Sequence, residues 1–156
     1  MLALDVPGFG RIDAIHLVSD FTGTLSRDGA LVPEVAGLIT EIARLLEIHV
    51  LSFDTFGTAA KELAGLPCTV TVLSGSNGAE QKRDYVTSIG PDRVVAIGNG
   101  ANDRLMLATA RLGIAVIEAE GVSSETIMSA DIVVRDIVSA LELLLNPKRL
   151  IATLRR

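Results

Sequence analysis

The chain has 156 residues, a formal net charge of −5 and a single cysteine, Cys68. That length suits one domain spanning 1–156. The acidic balance argues against nucleic acid as a partner, and one thiol excludes an internal disulfide and fits a reducing cytoplasm. No apolar run reaches the roughly 18 to 20 residues that span a membrane, and Met1 to Gly10 lacks the basic-then-apolar pattern of a signal peptide.

Hydrophobic residues make up 49% of the chain but aromatic ones only 3%, so the apolar content is aliphatic. Strands buried on both faces of a helix-covered parallel sheet have that composition. In chain order, a first strand runs from Ala14 to Ser19 and ends at Asp20 and a Gly/Thr turn. Pro33 opens a helix through about Leu46, with apolar residues at Val35, Leu38, Ile39, Ile42 and Leu45. A strand at Ile48 to Phe53 precedes a helix near Thr55 to Ala64. Cys68 to Leu73 reads as a strand, and Ser76 to Ile89 as a loop and helix. Val94 to Ile97 is a strand, then a glycine turn and a helix from Ala101 to Ala110. Strands follow at Ile114 to Ile117 and Ile132 to Val134, and helices at Ile137 to Leu145 and Pro147 to Leu154. The alternation predicts an α/β fold: a three-layer, Rossmann-like parallel sheet with helices on both faces. Ligands in such sheets bind beyond the carboxyl ends of the strands.

Three polar clusters fall at those positions, after the first, second and fourth strands, and one more, around Lys82, on a following helix. Asp20-Phe21-Thr22-Gly23-Thr24 follows the first strand, and a carboxylate there can act as a nucleophile, although Asp, Gly and Thr are also ordinary turn formers. Gly23 permits a close backbone approach to phosphate oxygens. Ser52 ends the second strand with a hydroxyl suited to a phosphate oxygen, while Asp54 or Thr55 suits a helix cap. Lys82, on the amphipathic stretch Glu80 to Ile89, can neutralise a phosphate and the nucleophile beside it, with Arg83 as a competitor; a lone helical lysine is more often a solvated charge. Gly98-Asn99-Gly100-Ala101-Asn102-Asp103 offers oxygen ligands for a hard cation such as Mg²⁺, or a capped helix start.

Taken together, the order of these clusters resembles the haloacid dehalogenase superfamily of phosphatases and phosphotransferases, from about Ile15 to Ala140. Asp20 with Thr22-Gly23-Thr24-Leu25 matches its first motif, Ser52 the second, Lys82 the third, and Gly98 to Asp103 the fourth. The resemblance implies a phosphatase that forms an aspartyl phosphate on Asp20. It implies Mg²⁺ held by Asp20, the Thr22 carbonyl, Asn99 and Asp103, and phosphate held by Gly23, Thr24, Ser52 and Lys82.

Most phosphatases of the superfamily carry a second Asp where this chain has Thr22. Asp-Phe-Thr-Gly-Thr is similar instead to the Asp-Lys-Thr-Gly-Thr of P-type ATPases, and Gly-Asn-Gly-Ala-Asn-Asp to their Gly-Asp-Gly-x-Asn-Asp, with Asn99 replacing an Asp. With no nucleotide-binding insert, the chain resembles soluble, stand-alone P-type-ATPase-like phosphatases. Losing a general acid and base implies slow turnover, since such catalysis typically contributes ~10²–10⁴-fold.

The gaps between motifs leave no room for a cap domain. An uncapped site implies a large or macromolecular phosphorylated substrate, or a neighbouring subunit as cover, as in the tetrameric octulosonate 8-phosphate phosphatases. Two further readings stay open: a catalytically weak regulatory or binding module, kept alive by Thr22 and Asn99, and an oligomeric sugar-phosphate phosphatase. His16 and His49 have no ligand partner at metal-binding spacing and read as structural.

Overall fold

A computed structural model describes residues 1–156. The chain opens with an antiparallel hairpin, β1 (Leu2–Val6) and β2 (Gly10–Ala14), in which Leu2 pairs with Ala14 and Val6 with Gly10. β3 (His16–Asp20) follows, then a two-residue-per-strand hairpin, β4 (Ser26–Arg27) and β5 (Ala30–Leu31). α1 (Val35–Ile42), β6 (Glu47–Ser52), α2 (Thr58–Glu62), β7 (Thr69–Val72) and α3 (Gly78–Ile89) come next. After a 3₁₀ turn at Pro91–Arg93 come β8 (Val94–Gly98), a second 3₁₀ turn at Ala101–Asp103, α4 (Arg104–Thr109), β9 (Leu112–Val116), α5 (Ser124–Ser129), β10 (Ile132–Val134), α6 (Ile137–Leu145) and α7 (Pro147–Leu154).

Six strands form the central sheet in the order β10-β9-β8-β3-β6-β7, every neighbouring pair parallel. β8 and β9 are buried along their whole length, which is what helices on both faces demand of inner strands. On one face, Leu17, Val50, Val95 and Ile97 pack with Ile39 and Ile42 of α1 and Ile137, Leu141 and Leu144 of α6. On the other, Val18, Leu51 and Ala96 pack with Val86 of α3 and Met106 of α4.

The chain leaves β3 in one direction along the sheet, through β6 and β7, and returns to β8 on the other side. The crevice between β3 and β8 is therefore the topological switch point, where open α/β sheets bind ligands. Only the β4–β5 hairpin and α1 separate Asp20 from β6, and only α2 and β7 separate Ser52 from α3, so no cap is inserted. No helix is long and apolar enough to cross a membrane.

The expected α/β sheet is present, with several corrections of extent. The helix expected from Pro33 through Leu46 covers only Val35–Ile42, and that near Thr55 to Ala64 shrinks to Thr58–Glu62. The helix expected from Ala101 divides into the 3₁₀ turn and α4, because Asp103 turns its carboxylate back onto the amides of Asn99 and Gly100. Both hairpins and α5 were not foreseen.

Candidate active site

Asp20 ends β3 on the face covered by α3, and Asp103 closes the 3₁₀ turn after β8, the neighbouring strand. Between them lies the ammonium of Lys82. Its Nζ donates to Asp20 Oδ1 and to Asp103 Oδ1, at 2.6 Å each. Lys82 and Asp103 have no exposed surface, and Asp20 keeps 7% of its own. Burial alone would lower the lysine's pKa, but Asp20 and Asp103 outweigh it and hold the ammonium charged. Burial, helped by Asp103, pushes the Asp20 carboxyl up to about 7 against the opposing pull of Lys82. Two buried carboxyls share one cation, so the cluster carries an excess of negative charge once Asp20 ionises.

Local backbone chemistry holds the ends of this bridge. Asp103 Oδ2 accepts the amides of Asn99 and Gly100, both at 2.9 Å. A Cβ on Gly98 would lie 2.5 Å from Asp103 Cγ, so only glycine admits this carboxylate against the strand end. Gly23 has φ +73°, and a Cβ there would meet Glu120 Oε2 and the Asn99 amide nitrogen; glycine fits both the turn and the space. Thr24 Oγ1 donates to Asn99 Oδ1 at 3.0 Å, with a longer 3.4 Å contact to Asp20 Oδ2. Asn99 Nδ2 donates to the Gly121 carbonyl at 3.1 Å.

A cavity of about 550 Å³ opens above Asp20. Asp20, Thr22, Asn99 and Asn102 line it together with Phe53, Asp54, Thr55, Phe56 and Glu120. Three of its lining residues are carboxylates and none is cationic. The amides of Ala59 and Phe56 hold the Asp54 carboxyl below the usual range, so it remains ionised. An anionic phosphate would be repelled here unless a cation came with it. Asp20 and Asn99 bring oxygen ligands suited to a hard dication to the cavity wall, whereas both oxygens of the fully buried Asp103 are engaged, by Lys82 and by the Asn99 and Gly100 amides.

Of the residues expected from sequence, Asp20, Thr24, Lys82, Asn99 and Asp103 form one connected cluster, with Thr22 and Gly23 at its edge. Lys82 lies behind Asp20, not on the cavity wall. Ser52 is buried, and its Oγ accepts the Asp54 amide at 3.0 Å. The N-cap position of α2 is Gly57, neither Asp54 nor Thr55, although the Asp54 carboxylate accepts the Phe56 and Ala59 amides. Glu120 was not foreseen: it sits on the loop after β9, in no motif, and only its place beyond a strand's carboxyl end could have drawn attention to it.

No protein-family model matches the chain. It is 60% identical over 63 residues to the uncharacterized protein MJ0073 of Methanocaldococcus jannaschii, covering 40% of this chain and 68% of that one, and the two belong to one family. A putative HAD superfamily (subfamily III A) hydrolase from Legionella pneumophila is similar with a TM-score of 0.72 and 13% identity, over 92% of this chain and 88% of that one. The chain has the haloacid dehalogenase fold. The same fold is seen in 3-deoxy-D-manno-octulosonate 8-phosphate phosphatase from Moraxella catarrhalis, solved with magnesium and phosphate ions, at TM-score 0.69 and 16% identity over 92% of this chain and 95% of that one. A zinc-transporting PIB-type ATPase is similar at TM-score 0.63 and 21% identity; the match covers 78% of this chain and 20% of the ATPase. Within this fold, Asp20 is the last residue of β3 and Asp103 closes the turn that follows β8.

Proposed function

We propose that this protein is a divalent-cation-dependent phosphatase acting on phosphate monoesters through a covalent intermediate on Asp20. One observation carries the reading: a buried lysine held 2.6 Å from each of two carboxylates at the switch point of the sheet. An Asp20 carboxylate oxygen attacks phosphorus in line, the ester P–O bond breaks, and the alkoxide leaves with a proton taken from solvent. Water then attacks the phosphorus of the aspartyl phosphate, releasing inorganic phosphate and restoring the carboxylate. Lys82 fixes the orientation of Asp20 and offsets the charge of the Asp20–Asp103 pair throughout. Thr22 faces the cavity where an acid would stand and has no proton to shuttle, so activated leaving groups depart faster than sugar alcohols. A Mg²⁺ ion would be held by Asp20, the Thr22 carbonyl and Asn99, with Asp103 behind them, and would supply the positive charge that lets a phosphate enter a cavity of carboxylates.

The phosphatase among the fold's neighbours supports this chemistry at the level of the fold. The open cavity favours a large substrate or a site closed by a neighbouring subunit. Incubating the whole chain with Mg²⁺ and p-nitrophenyl phosphate, beside Asp20→Asn, tests the reading. Hydrolysis that stops in the variant supports it; equal rates leave a binding module in its place.

A further inference from the structure

We propose that His16, Glu47 and His49 form a second metal site, for a borderline divalent ion of the zinc class, at the end of the sheet opposite Asp20. His16 opens β3 and Glu47 opens β6, and the two are paired across the strands, with Val18 opposite His49. Period-two alternation then puts all three side chains on one face, the face that α3 covers. Asp20 lies four residues further along β3, about 13 Å away at strand rise.

The ligand atoms converge. His16 Nδ1 is 3.1 Å from His49 Nε2 and 3.2 Å from Glu47 Oε2, and one ligand atom from each residue lies within 4.8 Å of the others. Zinc–nitrogen bonds of about 2.0–2.1 Å in a tetrahedron place neighbouring ligand atoms about 3.3 Å apart. Two edges are therefore already set. The third closes by rotation of the Glu47 carboxylate, whose side chain is 73% exposed.

Without a metal, these atoms have a single proton to share. With that proton on His16 Nδ1, both His49 Nε2 and Glu47 Oε2 turn lone pairs towards it. A dication satisfies all three lone pairs at once. The other nitrogen of His49, Nδ1, is 3.0 Å from the Tyr85 hydroxyl of α3. Such an outer partner fixes a ligating imidazole's tautomer and ring orientation. Burial, with His16 beside it, also lowers the His49 pKa against the pull of Glu47.

Two imidazoles and one carboxylate suit zinc and its neighbours, whereas Mg²⁺ seeks oxygen. The two sites therefore select different ions. Tyr85 sits one turn from Lys82 on α3, so an ion here ties the starts of β3 and β6 to the helix that carries the bridging lysine. Cys68, half-buried in the groove beside Glu47 and His49, is the competing soft donor.

The metal-free chain is titrated with ZnCl₂ against a chromophoric chelator, in excess Mg²⁺, beside His16→Gln, His49→Gln, Tyr85→Phe, Asp20→Asn and Cys68→Ser. We expect one zinc per chain, unchanged in Asp20→Asn and Cys68→Ser. Each histidine variant should weaken it by more than the roughly 100-fold that losing an outer hydrogen-bond partner costs, and Tyr85→Phe should weaken it by less. Absent zinc binding, binding kept in His49→Gln, or binding lost in Asp20→Asn overturns the proposal. Circular dichroism checks that the variants fold. If the histidine variants do not, the wild-type spectrum with CoCl₂ decides: four-coordinate visible bands without thiolate charge transfer support the site, while an octahedral or thiolate spectrum overturns it.

Discussion

The Nζ of Lys82 lies 2.6 Å from Asp20 Oδ1 across 62 positions of sequence, on a side chain with no solvent exposure. The same nitrogen serves Asp103, so one ammonium joins α3 to the ends of two adjacent strands. Breaking a buried ion pair by removing one partner costs about 3–5 kcal/mol, because the charge left behind is uncompensated. Lys82→Met should lose about that much stability in metal-free urea unfolding. Adding Asp103→Asn removes one stranded charge, and the double variant should lose less than the sum of the single losses. Unfolding of Lys82→Met at the wild-type urea midpoint would mean the bridge contributes nothing.

Thr22 lines the cavity beside Asp20 with a hydroxyl that neither gives nor takes a proton near neutral pH. Thr22→Asp should raise turnover of p-nitrophenyl phosphate with Mg²⁺, by up to the ~10²-fold at the lower end of general acid–base effects. The gain should be larger for a sugar phosphate, whose leaving group needs the proton more. A rate that stays the same or falls for both substrates would remove the account of slow turnover.

Glu120 adds a third carboxylate to the cavity, on the wall that Asn99 also lines. Its Oε2 approaches the same point beside Gly23 as the Asn99 amide. In a partly screened site, a charge at short range is worth about 1–4 kcal/mol towards a cation. Glu120→Gln should raise the Mg²⁺ concentration needed for half-maximal activity by about 5-fold or more, with little change at saturating Mg²⁺. An unchanged Mg²⁺ requirement would leave Glu120 without a part in cation binding.

The sheet was legible because β3, β6 and β8 are short runs with aliphatic centres ending in Asp, Ser or Gly, and because α6 and α7 are bounded by Asp136, Asn146 and Pro147. Tertiary placement hid the rest. Leu2–Val6 alternates buried and exposed residues, but five residues of alternation in a hairpin that only packs along one side give little signal. Ser124–Ser129 buries only Thr126, so no apolar stripe marks it as a helix. Within the site, Asp20 and Asp103 stand in recognisable strings. Lys82 does not: its stretch reads like any solvated helix face, and only its position between the second and fourth clusters, on the helix after the third expected strand, singles it out. Glu120 belongs to no string at all. His16 and His49 looked isolated because 33 positions separate them; the register of β3 on β6, which no spacing rule encodes, brings them together around Glu47.

A final prediction concerns the frame behind the site. Asp136 precedes α6, and its Oδ1 accepts the Ser139 amide at 2.6 Å. Burial alone would raise its pKa, but the Ser139 hydrogen bonds and Arg135 outweigh that and lower it below the ordinary 3.8. The folded state therefore binds fewer protons than the unfolded state between the folded value and 3.8. The cap's contribution is complete above that window and is lost as pH falls through it. Near neutral pH, Asp136→Ala should cost about 1 kcal/mol, the usual worth of a helix cap. Glu118 limits the damage, because its Oε1 also holds the Ile137 amide in the same turn, at 2.8 Å. In urea unfolding across acid pH, the gap between Asp136→Ala and wild type should narrow below the ordinary carboxylate range. Asp136→Asn caps nearly as well without titrating, so its curve should lack the wild-type fall. An Asn variant that still follows the wild type into acid would assign that transition to another carboxylate.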